Sequence, residues 1–134
     1  MVDGEARGVL DTCTYIDLVE IGAGPLPEIP ELTVISMTEL HQGVAMAATA
    51  TERAIRTERL NAAVQEFEPL PYDGEAASRF GTLAMLTVGQ GRSPKPRRLD
   101  LMIAAIASVH DLPLYTRNSK DFRGLESLVR VIAV

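Results

Sequence analysis

Arg97-Arg98-Leu99-Asp100-Leu101-Met102-Ile103-Ala104-Ala105-Ile106-Ala107 is so apolar beyond its first residues that a helix built from it is buried on nearly every side. A helix of this kind rarely begins with an acid for the sake of solubility. Taken alone, Asp100 reads as a cap that accepts a hydrogen bond from an early backbone N–H and meets the positive end of the helix dipole. Three other places in the chain offer an acidic or amide side chain that could meet Asp100, which gives the acid a second reading.

Outward from this helix, which the pattern ends near His110, residues 112–116 read as a strand. The polar turn 117–121 follows, then a short helical turn around Phe122 and a last strand over 128–134. On the other side, residues 89–96 hold two glycines and two prolines and form a loop, expected to be mobile. Before it, Asp73 is placed to cap a helix over 74–88, and residues 69–72 make an extended link. An amphipathic helix covers 51–67, with Ala54, Ile55, Leu60, Ala63, Val64 and Phe67 on one face. Ser36 and Glu39 have capping-box spacing for a helix to about residue 48, directly after a β-branched strand over 32–35. The chain opens with a strand over 8–10 that ends in Asp11, then a helix over 12–20 and a loop broken by Gly22, Gly24, Pro25, Pro27 and Pro30.

Strands separated by helices imply an α/β fold with a central parallel sheet covered on both faces. In such sheets ligands gather beyond the carboxyl ends of the strands. Asp11 ends the first strand, Glu39 lies just past the second, and Asn118 just past the strand ending at Thr116. Asp100 opens the helix leading into that strand, so all four can face one crevice.

Length and composition fit this picture. The 134 residues suit one domain, 1–134, large enough to bury a core without a disulfide or a metal staple. A lone cysteine, Cys13, excludes an internal disulfide and suits a reducing compartment. No apolar run reaches the length of a membrane span, and the start at 1–5 lacks the regions of a signal peptide, so a soluble cytoplasmic protein is expected. A net charge of −5 speaks against a nucleic-acid coat protein, but not against an enzyme that reaches phosphates through a metal ion.

Carboxylates forced together repel and are driven toward their neutral forms unless a cation compensates. Oxygen ligands without a Cys/His set favour Mg²⁺ or Mn²⁺ over Zn²⁺, and such ions support in-line displacement at phosphorus. Phosphodiester hydrolysis is the reaction this implies.

At these positions the chain resembles a known family. Val9-Leu10-Asp11-Thr12, Ser36-Met37-Thr38-Glu39-Leu40, Leu99-Asp100-Leu101-Met102-Ile103-Ala104-Ala105 and Tyr115-Thr116-Arg117-Asn118-Ser119-Lys120-Asp121-Phe122 are similar, in order, to the motifs of PIN-domain ribonucleases, above all VapC-type toxins of toxin–antitoxin pairs. The resemblance implies a three-layer α/β/α fold and Mg²⁺- or Mn²⁺-dependent endonucleolytic cleavage of RNA, commonly tRNA or rRNA. It also implies inhibition by a cognate VapB-type antitoxin, and a homodimer or a toxin–antitoxin hetero-oligomer. Carried over by motif, Asp11, Glu39 and Asp100 are the metal-binding acids. The fourth position falls on Asn118, where many relatives carry an acid, or on Asp121 three residues later. Thr116 resembles the hydroxyl residue often found at this strand end, where it orients a ligand or water.

Two groups of cations lie near these motifs. Arg92, Lys95, Arg97 and Arg98 precede Asp100, while Arg117, Lys120 and Arg123 surround Asn118. Either group can flank an RNA path, with Arg97, Arg98, Arg117 and Lys120 as the candidates for phosphate contact. Each also reads as an ordinary solvated loop. Asp17 and Asp73 read as surface or cap residues, His41 and His110 as a surface and a helix-end histidine, and Cys13 as a small buried residue beside the site. The amphipathic segment 51–67 is expected to help form the antitoxin groove.

Two other functions compete. A signalling receiver domain also gathers acids at strand ends, but it needs an aspartate ending a middle strand, where this chain offers only Glu66 and Glu68. A catalytically weak PIN-fold protein-binding module is compatible with Asn118, while three retained acids speak against it.

Overall fold

The computed structural model describes residues 6–134, so the stretch 1–5 used above against a signal peptide lies outside the described residues. Strand β1 (Arg7–Leu10) leads into two short helices, α1 (Thr12–Ile16) and α2 (Leu18–Ile21), then β2 (Ile29–Glu31). Helices α3 (Val34–Ala45), α4 (Ala50–Glu66) and α5 (Gly74–Gly89) follow. A 3₁₀ turn (Lys95–Arg97) runs into α6 (Arg98–Val109), then β3 (Leu114–Thr116), a second 3₁₀ turn (Ser119–Phe122) and β4 (Val131–Ala133).

The strands form one sheet in the order β2-β1-β3-β4, with every neighbouring pair parallel. Successive residues of a strand face opposite sides of a sheet. Val9 and Leu114 therefore join α5 and α6 in a core with Leu83, Leu101, Ile103 and Ile106. Leu10 and Tyr115, one residue on, join Tyr15, Leu40, Leu60 and Ala63 from α1, α3 and α4. This alternation produces the three-layer α/β/α arrangement with a central parallel sheet. Leu10 and Leu114 are fully buried, and each such side chain contributes about 1.5–3 kcal/mol by leaving water.

The Tyr115 ring lies over Gly8 and leaves no room for a side chain there. A Cβ there overlaps the Tyr115 ring at Cε1 and lies 2.7 Å from its Cδ1.

Several local expectations are corrected. The segment 32–35 is not a strand: β2 lies earlier, and α3 already begins at Val34. Leu32 and Thr33 stay extended only long enough to bridge Leu70 in the link before α5. Their apolar, β-branched character reflects burial, since Leu32, Thr33 and Ile35 are all buried. Ser36 is not the helix cap either; the Thr33 hydroxyl accepts from the Ser36 N–H at 3.2 Å. The helix expected over 12–20 breaks at Asp17 into α1 and α2. Strands β3 and β4 are shorter than their apolar runs. Asp73 does cap α5, accepting from Ala76 N–H at 2.9 Å. The loop before α6 is tied at two points: Arg92 donates to the Asp121 carbonyl at 2.6 Å, and Arg97 pairs with the Asp121 carboxylate at 2.9 Å. No helix among the described residues is long and apolar enough to cross a membrane.

Candidate active site

Parallel pairing sets Leu10 opposite Tyr115, so the residues that follow, Asp11 and Thr116, emerge side by side at the carboxyl edge of the sheet. Asp11 is buried, and both its oxygens are occupied. Oδ1 caps α1 by accepting from Thr14 N–H at 2.9 Å, and Oδ2 accepts from the Thr116 hydroxyl at 2.6 Å. Thr116 Oγ1 in turn accepts from Asn118 N–H at 3.0 Å. Asp11 is thus a helix cap and a candidate site residue at once, aimed by the adjoining α1 and by β3 far along the chain.

Glu39 projects from α3 one turn beyond Ser36, which puts both on one face of the helix. The Thr12 hydroxyl donates to Glu39 Oε1 and lies 2.8 Å from Ser36 Oγ. Thr12 has one proton to give, so Ser36 is the donor in the second bond. Thr12 and Ser36 were not singled out from sequence as positioning groups. The available signal was a hydroxyl beside an acid in each of two motifs.

Asp100 lies in the first turn of α6 and does not cap it; the helix begins at Arg98 without a side-chain cap. Burial pushes its carboxyl up to about 6, with Asp11, Glu39 and Asp121 adding to the rise and Arg97 opposing it. Three other acids therefore act on Asp100, whose burial already makes its charged form costly. Asp121 is held by Arg97, whereas the side chain of exposed Asn118 makes no cap bond. Of the two candidates for the fourth position, Asp121 is the one coupled to Asp100.

A cleft of about 260 Å³ is lined by Glu39, Lys95, Pro96, Arg98, Leu99 and Asp100. Glu39 also forms part of a second pocket of about 320 Å³. A wider concavity of about 780 Å³ runs as a trough along one face of α4 and includes none of the candidate site acids. Lys95 and Arg98 thus stand beside the acids, while Arg97 is engaged with Asp121. Arg117 turns to Asp17 and Glu20, at 3.1 and 3.4 Å, and Lys120 is exposed on its 3₁₀ turn. Cys13 is exposed, contrary to expectation, because it lies on the outer side of α1. Partial burial, then Asp11, Asp100, Glu39 and Asp17, raise its thiol and make it a poor nucleophile. His41 and His110 are exposed, and neither lines the cleft.

Among the described residues no three His, Cys, Asp or Glu side chains converge closely enough to hold an ion as they stand. The donor chemistry is nevertheless that of a hard cation. Asp11, Glu39 and Asp100 offer only carboxylate oxygens, and Asp100 is raised first by its burial and then by the neighbouring acids.

No family model matches the chain. It is 35% identical over 129 residues to Ribonuclease VapC5 of Mycobacterium tuberculosis, covering 94% of this chain and 93% of that protein. It superposes on the crystal structure of VapBC-5, a member of the VapBC family of toxin–antitoxin systems from the same organism, with a TM-score of 0.82 and 36% identity. That match covers 96% of this chain and 99% of the other. FitAcB from Neisseria gonorrhoeae matches with a TM-score of 0.71 and 25% identity, over 92% of this chain and 95% of the other.

Proposed function

We propose that this chain, which belongs to the VapC family of toxin ribonucleases, cleaves RNA with a magnesium ion held by Asp11, Glu39 and Asp100. It is a toxin endoribonuclease whose partner is a VapB antitoxin. The metal dependence, with Mn²⁺ as the substitute ion, is supported chiefly by one observation: a carboxyl raised to about 6 amid three further acids. When bound, the ion supplies Lewis-acid stabilisation of charge and activates water for in-line displacement at phosphorus.

The chain's own residues supply the geometry. Thr14 N–H and the Thr116 hydroxyl fix the plane of the Asp11 carboxylate, and the Ser36–Thr12 pair fixes Glu39. Asp100 brings the negative charge that draws the cation. Lys95 and Arg98 line the same cleft and bind phosphates flanking the cut. Asp121 is the reserve acid, released when Arg97 turns to a phosphate. The substrate is tRNA or rRNA, the site of action is the cytoplasm, and the toxin assembles as a homodimer or with its antitoxin. These statements draw on the family resemblance and, for the cytoplasm, on the single free cysteine. Exposed Ile55 and Val64 support α4 as part of the antitoxin groove.

Cleavage of total bacterial RNA by antitoxin-free protein tests the reading, with Mg²⁺, with EDTA and with Asp100→Ala. Cuts at a few positions that require the metal and Asp100 are expected. Equal behaviour of folded wild type and mutant in both conditions would leave a catalytically weak PIN-fold binding module, the reading that Asn118 favours.

A further inference from the structure

We infer that the second pocket sharing Glu39 receives one nucleotide of the RNA strand beside the scissile phosphate, and that Arg59 is its phosphate-binding residue. The inference rests on the reading of Asp11, Glu39 and Asp100 as the cleavage site. Ile16, Leu40 and Gly43 form the uncharged wall of the pocket, and Arg56 and Arg59 from α4 its cationic wall. Ile16 is 39% exposed, an apolar side chain left open to solvent in this pocket.

The two arginines differ in what they are free to do. Arg56 is committed: it donates to the Gly43 carbonyl at 2.7 Å and pairs with Glu52 at 3.6 Å. Arg59 is half-buried, and its guanidinium has no anionic partner among the described residues. Its backbone is held in place, since the Tyr15 hydroxyl donates to the Arg59 carbonyl at 3.4 Å and the Tyr15 ring meets Phe67 edge-on. An arginine anchored through its backbone, without a counter-ion among the described residues and beside an apolar wall, suits a phosphate with its base laid against the wall. The volume of about 320 Å³ has room for a nucleotide. Because Glu39 belongs to both cavities, a strand crossing the acids continues into this one.

The test uses full-length, antitoxin-free protein and a labelled single-stranded RNA of mixed sequence, with binding followed by fluorescence anisotropy in EDTA. Arg59→Gln is expected to weaken binding about tenfold and to lower the salt slope by about one, with Arg59→Lys recovering much of both. With Mn²⁺, the loss in Arg59→Gln is expected in KM rather than kcat, and Ile16→Ala is expected to redistribute the cut positions. Unchanged affinity, salt slope and cut positions in a folded Arg59→Gln variant overturn the inference. So does a loss confined to affinity for the antitoxin, which would assign the pocket to the protein partner. Binding in EDTA does not depend on cleavage, so a failure of Asp100→Ala to abolish cutting overturns the acid site and is read separately from the Arg59 result.

Discussion

Arg97 and Asp121 form an ion pair of 2.9 Å, and Arg92 donates to the carbonyl of the same aspartate, so one residue fastens the whole loop that precedes α6. Both side chains of the pair are about a third exposed, and exposed pairs contribute under about 1 kcal/mol. Asp121→Ala is expected to change the melting temperature little while loosening the loop locally. Trypsin should cut after Arg92 or Arg98 several times faster in the variant than in wild type, as followed by mass spectrometry.

Asp100 titrates near 6 in the metal-free fold against an ordinary value of 3.8. Because its folded value is raised, the associated stability is fully present below about 4 and is lost as pH rises through about 6. Asp100→Asn removes this dependence. In EDTA the variant should melt higher than wild type at pH 7, by about 1 kcal/mol after allowing for partial exposure, with the gap closing toward pH 4. Added Mn²⁺ should raise the melting temperature of wild type and leave the variant nearly unmoved.

Thr116→Val keeps the shape of a fully buried side chain but deletes the hydroxyl that faces Asp11 and Asn118 N–H. A cost of about 1–3 kcal/mol in stability follows from the unpaired groups. Loss of the aiming bond should also weaken Mn²⁺ binding and cleavage by about 10–100-fold. Calorimetric titration with Mn²⁺ checks the first effect directly, and Thr116→Ser should restore most of it.

At Gly8 an added methyl collides with a tyrosine ring that is itself only 5% exposed and has nowhere to move. Gly8→Ala is therefore expected to destabilise by about 1–3 kcal/mol through overpacking, although alanine suits a strand better than glycine. Urea denaturation checks it. A second substitution, Tyr115→Leu, should recover part of the loss by opening space.

The main divisions of the chain were legible because α5 and α6 have long unbroken patterns and Asp73 a local cap. What misled was chemistry whose local and distant uses look alike. Ser36 and Glu39 have the spacing of a capping box, yet both turn to Thr12, 24 and 27 residues earlier in the chain. Leu32, Thr33 and Ile35 look like a strand because burial selects the same residue types in an extended link and in the first turn of a helix. The order of the motifs offers Asp11, Glu39 and Asp100 as candidates, but the action of Asp121 on Asp100 and its pairing with Arg97 are tertiary relationships that spacing does not encode. Cys13 was misplaced for a simpler reason: a five-residue helix is too short for its outward side to show as a period.

Asp11 and the hydroxyl that aims it stand 105 residues apart, on neighbouring strands made early and late in synthesis. At about 5–20 residues per second, a ribosome takes on the order of 5–20 s to get from one to the other. Throughout that interval the growing toxin carries Asp11 without the hydroxyl that aligns it. The order of the sheet thus works as a delay, and the cell that makes this protein has those seconds in which to have the antitoxin waiting.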